Sequence, residues 1–319
     1  MQQMDTKPSA RSAAGSSAPA SKKRRVRRAK RRKWPIVVCI ILVVLVIAGS
    51  VTRNILRQDM EFLQNLIEES AFFQNSSLGR HLLSALTGLP INTYDQTVFQ
   101  PTEDGRITYA SSQVQTLQGI DVSSYQGEID WEQVAGDGIG FAIIRIAFRG
   151  YGDEGNLHVD AQFEANIQGA LDAGIPVGVY IFSQAITVEE AVEEANFVLD
   201  NLGDYDIQYP IVFDWEPFSK QEARTDGLSA RELTACCVAF CETIEAAGYR
   251  PMVYFNPSIG LNQYYLPDIA QYDFWLAQYN AVPTFFAAFQ IWQYSDSGQV
   301  DGISGPVDLN LSFVDYAAS

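Results

Sequence analysis

The chain has 319 residues, of which 47% are hydrophobic, and a formal net charge of −16. Two histidines and four cysteines, without the spacing of a zinc site or a disulfide framework, argue against a Ser-His-Asp triad or a His-rich metal centre. Carboxylate chemistry is therefore favoured, and neither a metal nor a cofactor is expected. Residues 1–53 carry 13 Lys and Arg against one acid, whereas residues 54–319 carry 37 acids against 9 Lys and Arg.

The N-terminal region predicts a membrane anchor. Residues 1–33 are rich in Ser and Ala and end in ten Lys and Arg within residues 22–33, which predicts a disordered basic tail. Residues 34–52 carry no charge and, as a helix of about 28 Å, would cross the hydrocarbon core. Because basic flanks stay in the cytoplasm, the pattern predicts a single-pass protein of the cell membrane with everything after the span outside. A signal peptide cleaved near Ala48-Gly49-Ser50 is the alternative.

Residues 53–113 lack a dense apolar core. Apolar residues at helical spacing predict one or two short helices, followed by an irregular stretch. The segment is interpreted as an extracellular stalk, and a helix for self-association is the other interpretation.

Residues 114–319 show the pattern of a barrel. Helical stretches separate the early strand-like runs, which predicts an α/β domain with parallel strands. Eight strands favour a closed, TIM-like (β/α) barrel, and 206 residues against a typical ~250 predict an irregular, trimmed one with few helices after strand five. The predicted strands are 117–122, 141–147, 175–182, 209–215, 251–255, 274–279, 289–294 and 307–309. The predicted helices are 129–135, 159–173, 188–202 and 229–247.

Four carboxylates fall where a barrel builds its active site, at the carboxyl ends of strands. Asp121 follows strand one, Asp214 and Glu216 follow strand four, and Asp308 follows strand eight. Because side chains alternate along a strand, Asp214 and Glu216 share a face about 6.6 Å apart. Two close acids have separated pKa values, and a protonated acid beside a carboxylate is what glycosidic cleavage requires. The pair is interpreted as catalytic and the other two acids as substrate-orienting; a metal or structural site is the alternative.

Aromatic residues near the strand ends suggest a sugar ligand, because flat rings stack on the apolar faces of sugars. Core packing is the alternative for each residue taken singly. The acid-rich exterior argues against a nucleic-acid partner. The predicted substrate-binding aromatic residues are Tyr180, Phe182, Tyr254, Trp275 and Trp292.

Several short motifs, in order, resemble glycoside hydrolase family 25, the lysozymes (N-acetylmuramidases) of the Chalaropsis type. The resemblance covers about residues 117–313. The motifs are Gly119-Ile120-Asp121-Val122-Ser123, Gly178-Val179-Tyr180-Ile181-Phe182, Phe213-Asp214-Trp215-Glu216, Trp275-Leu276-Ala277-Gln278-Tyr279, Trp292-Gln293-Tyr294 and Val307-Asp308-Leu309-Asn310.

The resemblance implies an irregular eight-stranded barrel that hydrolyses the β-1,4 bond between N-acetylmuramic acid and N-acetylglucosamine in peptidoglycan. It implies that Glu216 is the general acid, that Asp214 is its partner carboxylate, and that Asp121 and Asp308 complete the site. The expected protein is thus a membrane-anchored bacterial cell-wall hydrolase. A chitinase-like or glucosaminidase barrel and a catalytically silent wall-binding scaffold are the alternatives.

Overall fold

The computed structural model describes residues 76–218 and 222–318. The predicted tail (1–33), the predicted membrane span (34–52) and residues 53–75 of the predicted stalk lie outside these ranges. Among the described residues, no helix combines the length and the apolar character needed to cross a membrane.

Eleven strands and seven α-helices are found in the described residues. The strands are β1 (Phe99–Pro101), β2 (Ile107–Tyr109), β3 (Leu117–Val122), β4 (Phe141–Arg149), β5 (Leu157–Val159), β6 (Val177–Phe182), β7 (Ile211–Asp214), β8 (Pro251–Phe255), β9 (Asp273–Ala277), β10 (Ile291–Gly298) and β11 (Val307–Ser312). The helices are α1 (Ser77–Thr87), α2 (Trp131–Gly136), α3 (Phe163–Asp172), α4 (Val188–Asn201), α5 (Ala230–Ala246), α6 (Pro257–Asn262) and α7 (Leu266–Ile269).

Eight of the strands close into a barrel. Their order is β3-β4-β6-β7-β8-β9-β10-β11, and pairing of β11 with β3 completes the ring. Among the described residues, the α-helices that follow β8, the fifth barrel strand, are the short α6 and α7. The predicted trimmed eight-stranded α/β barrel is therefore confirmed. The structure adds β5, which pairs antiparallel with the end of β4.

Strand β11 differs from the expected arrangement, because it runs antiparallel to both of its neighbours while the other barrel strands are parallel. Asp308 is therefore the second residue of β11 and begins the eighth strand instead of ending it. Its expected place at the active rim is nonetheless kept, since the amino end of an antiparallel strand lies beside the carboxyl ends of the others.

Local sequence explains where the helices begin and end. Helix α5 begins with a capping box, in which the Ser229 hydroxyl accepts from the Glu232 N–H and the Glu232 carboxylate accepts from the Ser229 N–H. It ends before Gly248, whose φ of 90° lies in the left-handed region that favours glycine. These signals set the two ends of the helix. Between them the helix packs against β7, which carries Asp214, and β8.

Part of the segment interpreted as a stalk packs against the barrel. The ring of Tyr94 stacks on Phe313 with centroids 3.9 Å apart, and its hydroxyl donates to the Phe289 carbonyl at 2.7 Å. Strands β1 and β2 form a hairpin whose Phe99 meets Trp292 edge-to-face. The contact with Trp292 lies on the outer face of β10, and Phe289 lies just before that strand begins. The boundary between stalk and barrel at residue 114 stays a prediction.

Candidate active site

The structure brings the four predicted acids together at one end of the barrel. Asp121 lies near the end of β3, Asp214 ends β7, Glu216 follows two residues later, and Asp308 lies opposite Asp121 in the β3–β11 register. All four line one cavity of about 460 Å³. Because the four side chains come from strands on different sides of the ring, only closure of the barrel brings them together.

Asp214 and Glu216 sit in a poorly solvated environment. Burial raises the pKa of Asp214 well above its usual range, and the neighbouring Glu216 adds to the shift. Burial is also the main cause of the raised pKa of Glu216, and the charge of Asp121 raises it further. The Oδ1 atom of Asp214 is buried and has no hydrogen-bond partner among the described residues. The pair therefore offers a proton and an unused acceptor to whatever enters the cavity.

Asp121 and Asp308 behave as one unit. The Oδ1 atom of Asp121 accepts hydrogen bonds from Asn310 Nδ2 at 2.7 Å and from Gln293 Nε2 at 2.9 Å. Burial raises the pKa of Asp121, and hydrogen bonds from Asn310, Gln293 and Asp308 oppose this shift. Burial and the charge of Asp121 raise the pKa of Asp308 to about 9. The hydrogen bonds to Asp121 favour its charged form, so Asp308 is the member of the pair that holds a proton more readily.

The predicted aromatic residues divide into three groups. Tyr180 and Phe182 line the cavity. Tyr254 and Trp275 point into the barrel but are buried beneath the cavity, where their rings meet edge-to-face at 4.8 Å. The structure does not bring Trp292 to the cavity. This side chain lies on the outer face of β10, fully buried against Phe99, and its indole N–H donates to the Gln278 carbonyl at 2.8 Å.

A second set of cavity residues was missed by the sequence reasoning. Arg145 interrupts the apolar strand β4, which is the signal that could have revealed it, and it pairs with the buried Asp160 at 2.6 Å. An irregularity between Arg145 and Ala147 shifts the alternation of β4, so that Phe148 also faces the cavity. Further lining residues are Ser123, Tyr125, Gln126, Arg149, Tyr151, Pro217 and Phe218.

Two buried amides, Gln293 and Asn310, were also missed as functional candidates. Their polar side chains inside apolar strands were the available signal, since a buried amide must find hydrogen-bond partners. Among the described residues, no group of three or more His, Cys, Asp or Glu side chains is arranged to hold a metal ion. The chemistry that this arrangement supports is acid catalysis by a carboxyl beside a second carboxyl, as in glycosidic cleavage.

Comparison with known proteins agrees with this chemistry. The family model described as glycosyl hydrolases family 25 matches residues 120–303. Lysozyme M1 from Streptomyces globisporus is 31% identical over 204 residues, which cover 61% of this chain and 69% of that protein. The crystal structure of the bacterial lysozyme from Streptomyces coelicolor is similar with a TM-score of 0.52 and 30% identity, covering 63% of this chain and 94% of that chain.

The fold is also similar to the modular autolysin LytC from Streptococcus pneumoniae, solved in complex with a synthetic peptidoglycan ligand. The TM-score is 0.56 at 22% identity, and the match covers 67% of this chain and 51% of LytC. Identity this low shows a shared fold alone. The family model matches more than half of the length of this chain. The chain therefore belongs to glycosyl hydrolases family 25 and is a glycoside hydrolase.

Proposed function

We propose that the chain is a membrane-anchored muramidase, which hydrolyses the β-1,4 bond between N-acetylmuramic acid and N-acetylglucosamine in bacterial peptidoglycan. The observation that carries the proposal is the grouping of Asp214 and Glu216 in a cavity with two further acids. The name of a relative supports the substrate, since Lysozyme M1, which is 31% identical to this chain, is a lysozyme.

In this mechanism Glu216 is the general acid. Burial and the charge of Asp121 both raise its pKa, so the carboxyl holds its proton until the glycosidic oxygen arrives. The proton moves to that oxygen as the bond between the anomeric carbon and the leaving sugar breaks. Water then supplies a hydroxyl group to the anomeric carbon and a proton to Glu216.

Asp214 is the partner of the acid in this proposal. Its buried Oδ1 atom lacks a partner among the described residues and is suited to accept the N–H of an acetamido group on the sugar. Held in this way, the acetamido oxygen faces the anomeric carbon and can stabilise the positive charge that develops on the sugar. Leaving the acceptor unused is costly in the free enzyme, so the interaction with substrate is favoured.

Substitution of the acid tests the mechanism. Glu216→Gln keeps size and hydrogen bonding but removes the proton, so kcat should fall by about 10²–10⁴-fold while KM changes little. Glu132→Gln makes the same chemical change at an exposed position of α2 and should have wild-type kinetics. A Glu216→Gln enzyme with normal kcat and an unchanged pH profile would refute the assignment.

Mass spectrometry of the released fragments separates the candidate activities. A muramidase leaves N-acetylmuramic acid at the new reducing end, which borohydride reduction labels, whereas a glucosaminidase leaves N-acetylglucosamine. Hydrolysis of chitin oligomers would favour the chitinase-like alternative. Release of no fragments from purified walls by the wild-type chain would favour the silent wall-binding scaffold.

The proposed anchor is residues 34–52, supported by their lack of charge and by the basic residues 22–33 before them. This topology places the barrel outside the cell, where it reaches the wall. Protease added to intact protoplasts should remove the barrel and spare the N-terminal tail. Protection of the barrel, or a mature protein that begins after Ser50, would contradict the anchor.

A further inference from the structure

Two chains of hydrogen bonds, buried except for the contribution of Tyr279, converge on Asp121. In the first, the indole N–H of Trp275 donates to Asn310 Oδ1 at 2.8 Å, and Asn310 Nδ2 donates to Asp121 Oδ1 at 2.7 Å. In the second, the hydroxyls of Tyr254 and Tyr279 each donate to Gln293 Oε1 at 2.9 Å. The amide of that glutamine then donates to the same Asp121 oxygen.

The chemistry of the donors fixes the direction of the first chain. An indole N–H can donate but cannot accept, so the Asn310 atom that faces Trp275 must be its oxygen. The amide nitrogen of Asn310 is then turned toward Asp121. Trp275 and Asn310 are almost fully buried, so water does not compete for these bonds.

The two phenols orient Gln293 in the same sense. Burial raises the pKa of Tyr254 well above its usual range, so its hydroxyl stays protonated and donates a hydrogen bond to the amide oxygen of Gln293. Asp121 Oδ1 therefore receives two N–H donors, an arrangement that favours the ionised carboxylate. Asp308, directly opposite in the β3–β11 register, is left to hold the proton of the acid pair.

We infer that Trp275 and Gln293 are positioning residues that keep Asp121 ionised and, through its negative charge, keep the general acid Glu216 protonated. The inference rests on the proposed role of Glu216 and deepens it. It gives Trp275 and Tyr254, predicted as sugar-stacking residues, a task beneath the cavity instead. It also explains why the two apolar strands β10 and β11 each carry a buried amide.

Other charged and titratable groups face Asp121 and contribute to its state. They come from six elements of the barrel, and Tyr279 is the one among them whose side chain is altered in the test below. These groups are Asp308 from β11, Asp214 and Glu216 from the end of β7, Tyr180 from β6, Arg145 from β4, Tyr254 from β8 and Tyr279 after β9.

The test is the pH dependence of kcat/KM for the full chain on purified peptidoglycan. Trp275→Phe keeps an aromatic ring in the core but removes the donor that orients Asn310. Asp121 is then less ionised, Glu216 loses its proton more readily, and the alkaline limb should move to lower pH by about 0.5–1 unit. Gln293→Met, which removes the second donor, should move the limb in the same direction.

Trp292→Phe is the matched control. It makes the same substitution at an equally buried indole whose N–H donates at 2.8 Å, but on the outer face of the barrel. It should leave the limb in place. Tyr279→Phe keeps the inference testable if the variants of the buried Trp275 and Gln293 do not fold, because the Tyr279 side chain is 51% exposed and lies outside the core. It removes one of the two phenol donors and should move the limb by a smaller amount in the same direction.

The outcomes separate this inference from the proposed function. If Glu216→Gln is inactive but the limb stays in place in Tyr279→Phe and in every folded variant of Trp275 and Gln293, the inference is overturned and the acid assignment stands. An equal shift in Trp292→Phe would also overturn it, since a general loss of packing would then be the cause. If Glu216→Gln keeps wild-type activity and pH profile, both ideas fail together.

Discussion

The packing of the N-terminal hairpin on the barrel makes a quantitative prediction. Phe99 is 7% exposed, and its ring lies 4.8 Å from Tyr109, 5.4 Å from Trp292 and 6.1 Å from Phe313, measured between centroids. Phe99→Ala removes this ring from a closed aromatic cluster. The expected cost to the free energy of unfolding is about 3–4 kcal/mol, near the lower end of Phe→Ala changes because the hairpin can relax.

Thermal unfolding of the full chain, followed by tryptophan fluorescence, measures this cost. For a domain of this size, 3 kcal/mol lowers Tm by about 6–12 °C. Tyr125→Ala is the control, since that side chain is 86% exposed, and it should change stability by less than about 0.5 kcal/mol. If Phe99→Ala is as mild as Tyr125→Ala, the hairpin does not pack on the barrel as described, and residues 89–110 return to the role of a stalk.

Two further predictions concern the strands that carry the acids. Gly119→Ala should lower stability by about 1–3 kcal/mol, because a Cβ there would lie 2.3 Å from the Phe141 ring, whereas Gly136→Ala has open space and should be neutral or slightly stabilising in chemical denaturation. Asp308→Asn should lower activity yet raise Tm, by an amount that grows as pH rises from about 4 toward 9. The pKa of Asp308 in the folded wild type is raised to about 9, so the wild type becomes less stable as pH rises through this interval, whereas the asparagine of the variant does not titrate. A Tm difference between Asp308→Asn and the wild type that shrinks as pH rises would contradict this reasoning.

Much of the barrel could be predicted from the sequence because its strands are long apolar runs separated by marked turns. Three of the acids were placed at the rim by the rule that chemistry follows the carboxyl ends of parallel strands. Asp308 reached the same rim for a different reason, since β11 is antiparallel. A period of two carries no direction, so the pattern around Val307 reads the same for either orientation.

The inward and outward faces of the strands could not be told apart by composition. Both faces of a barrel strand are buried under other elements, so Trp275 inside and Trp292 outside have equally apolar neighbours. The hairpin was missed for a related reason. Its strands β1 and β2 have three residues each, and the side chains that cover them, such as Trp292, lie about 190 positions later in the chain. Local periodicity does not contain that information.

The reversed direction of β11 has a chemical consequence for the site. In an antiparallel pair, directly opposite residues lie about 4.5–5.5 Å apart at their Cα atoms and share a face, so Asp121 and Asp308 must meet. Two ionised carboxylates in that position repel, and the pair is stable only if one of them keeps a proton. The amides of Gln293 and Asn310 both donate to Asp121 and thereby decide which one. Asp121 thus carries the one negative charge of this pair, and that charge favours the protonated form of Glu216. A second charge, on Asp308, would raise the pKa values of other carboxyls in the cavity as well.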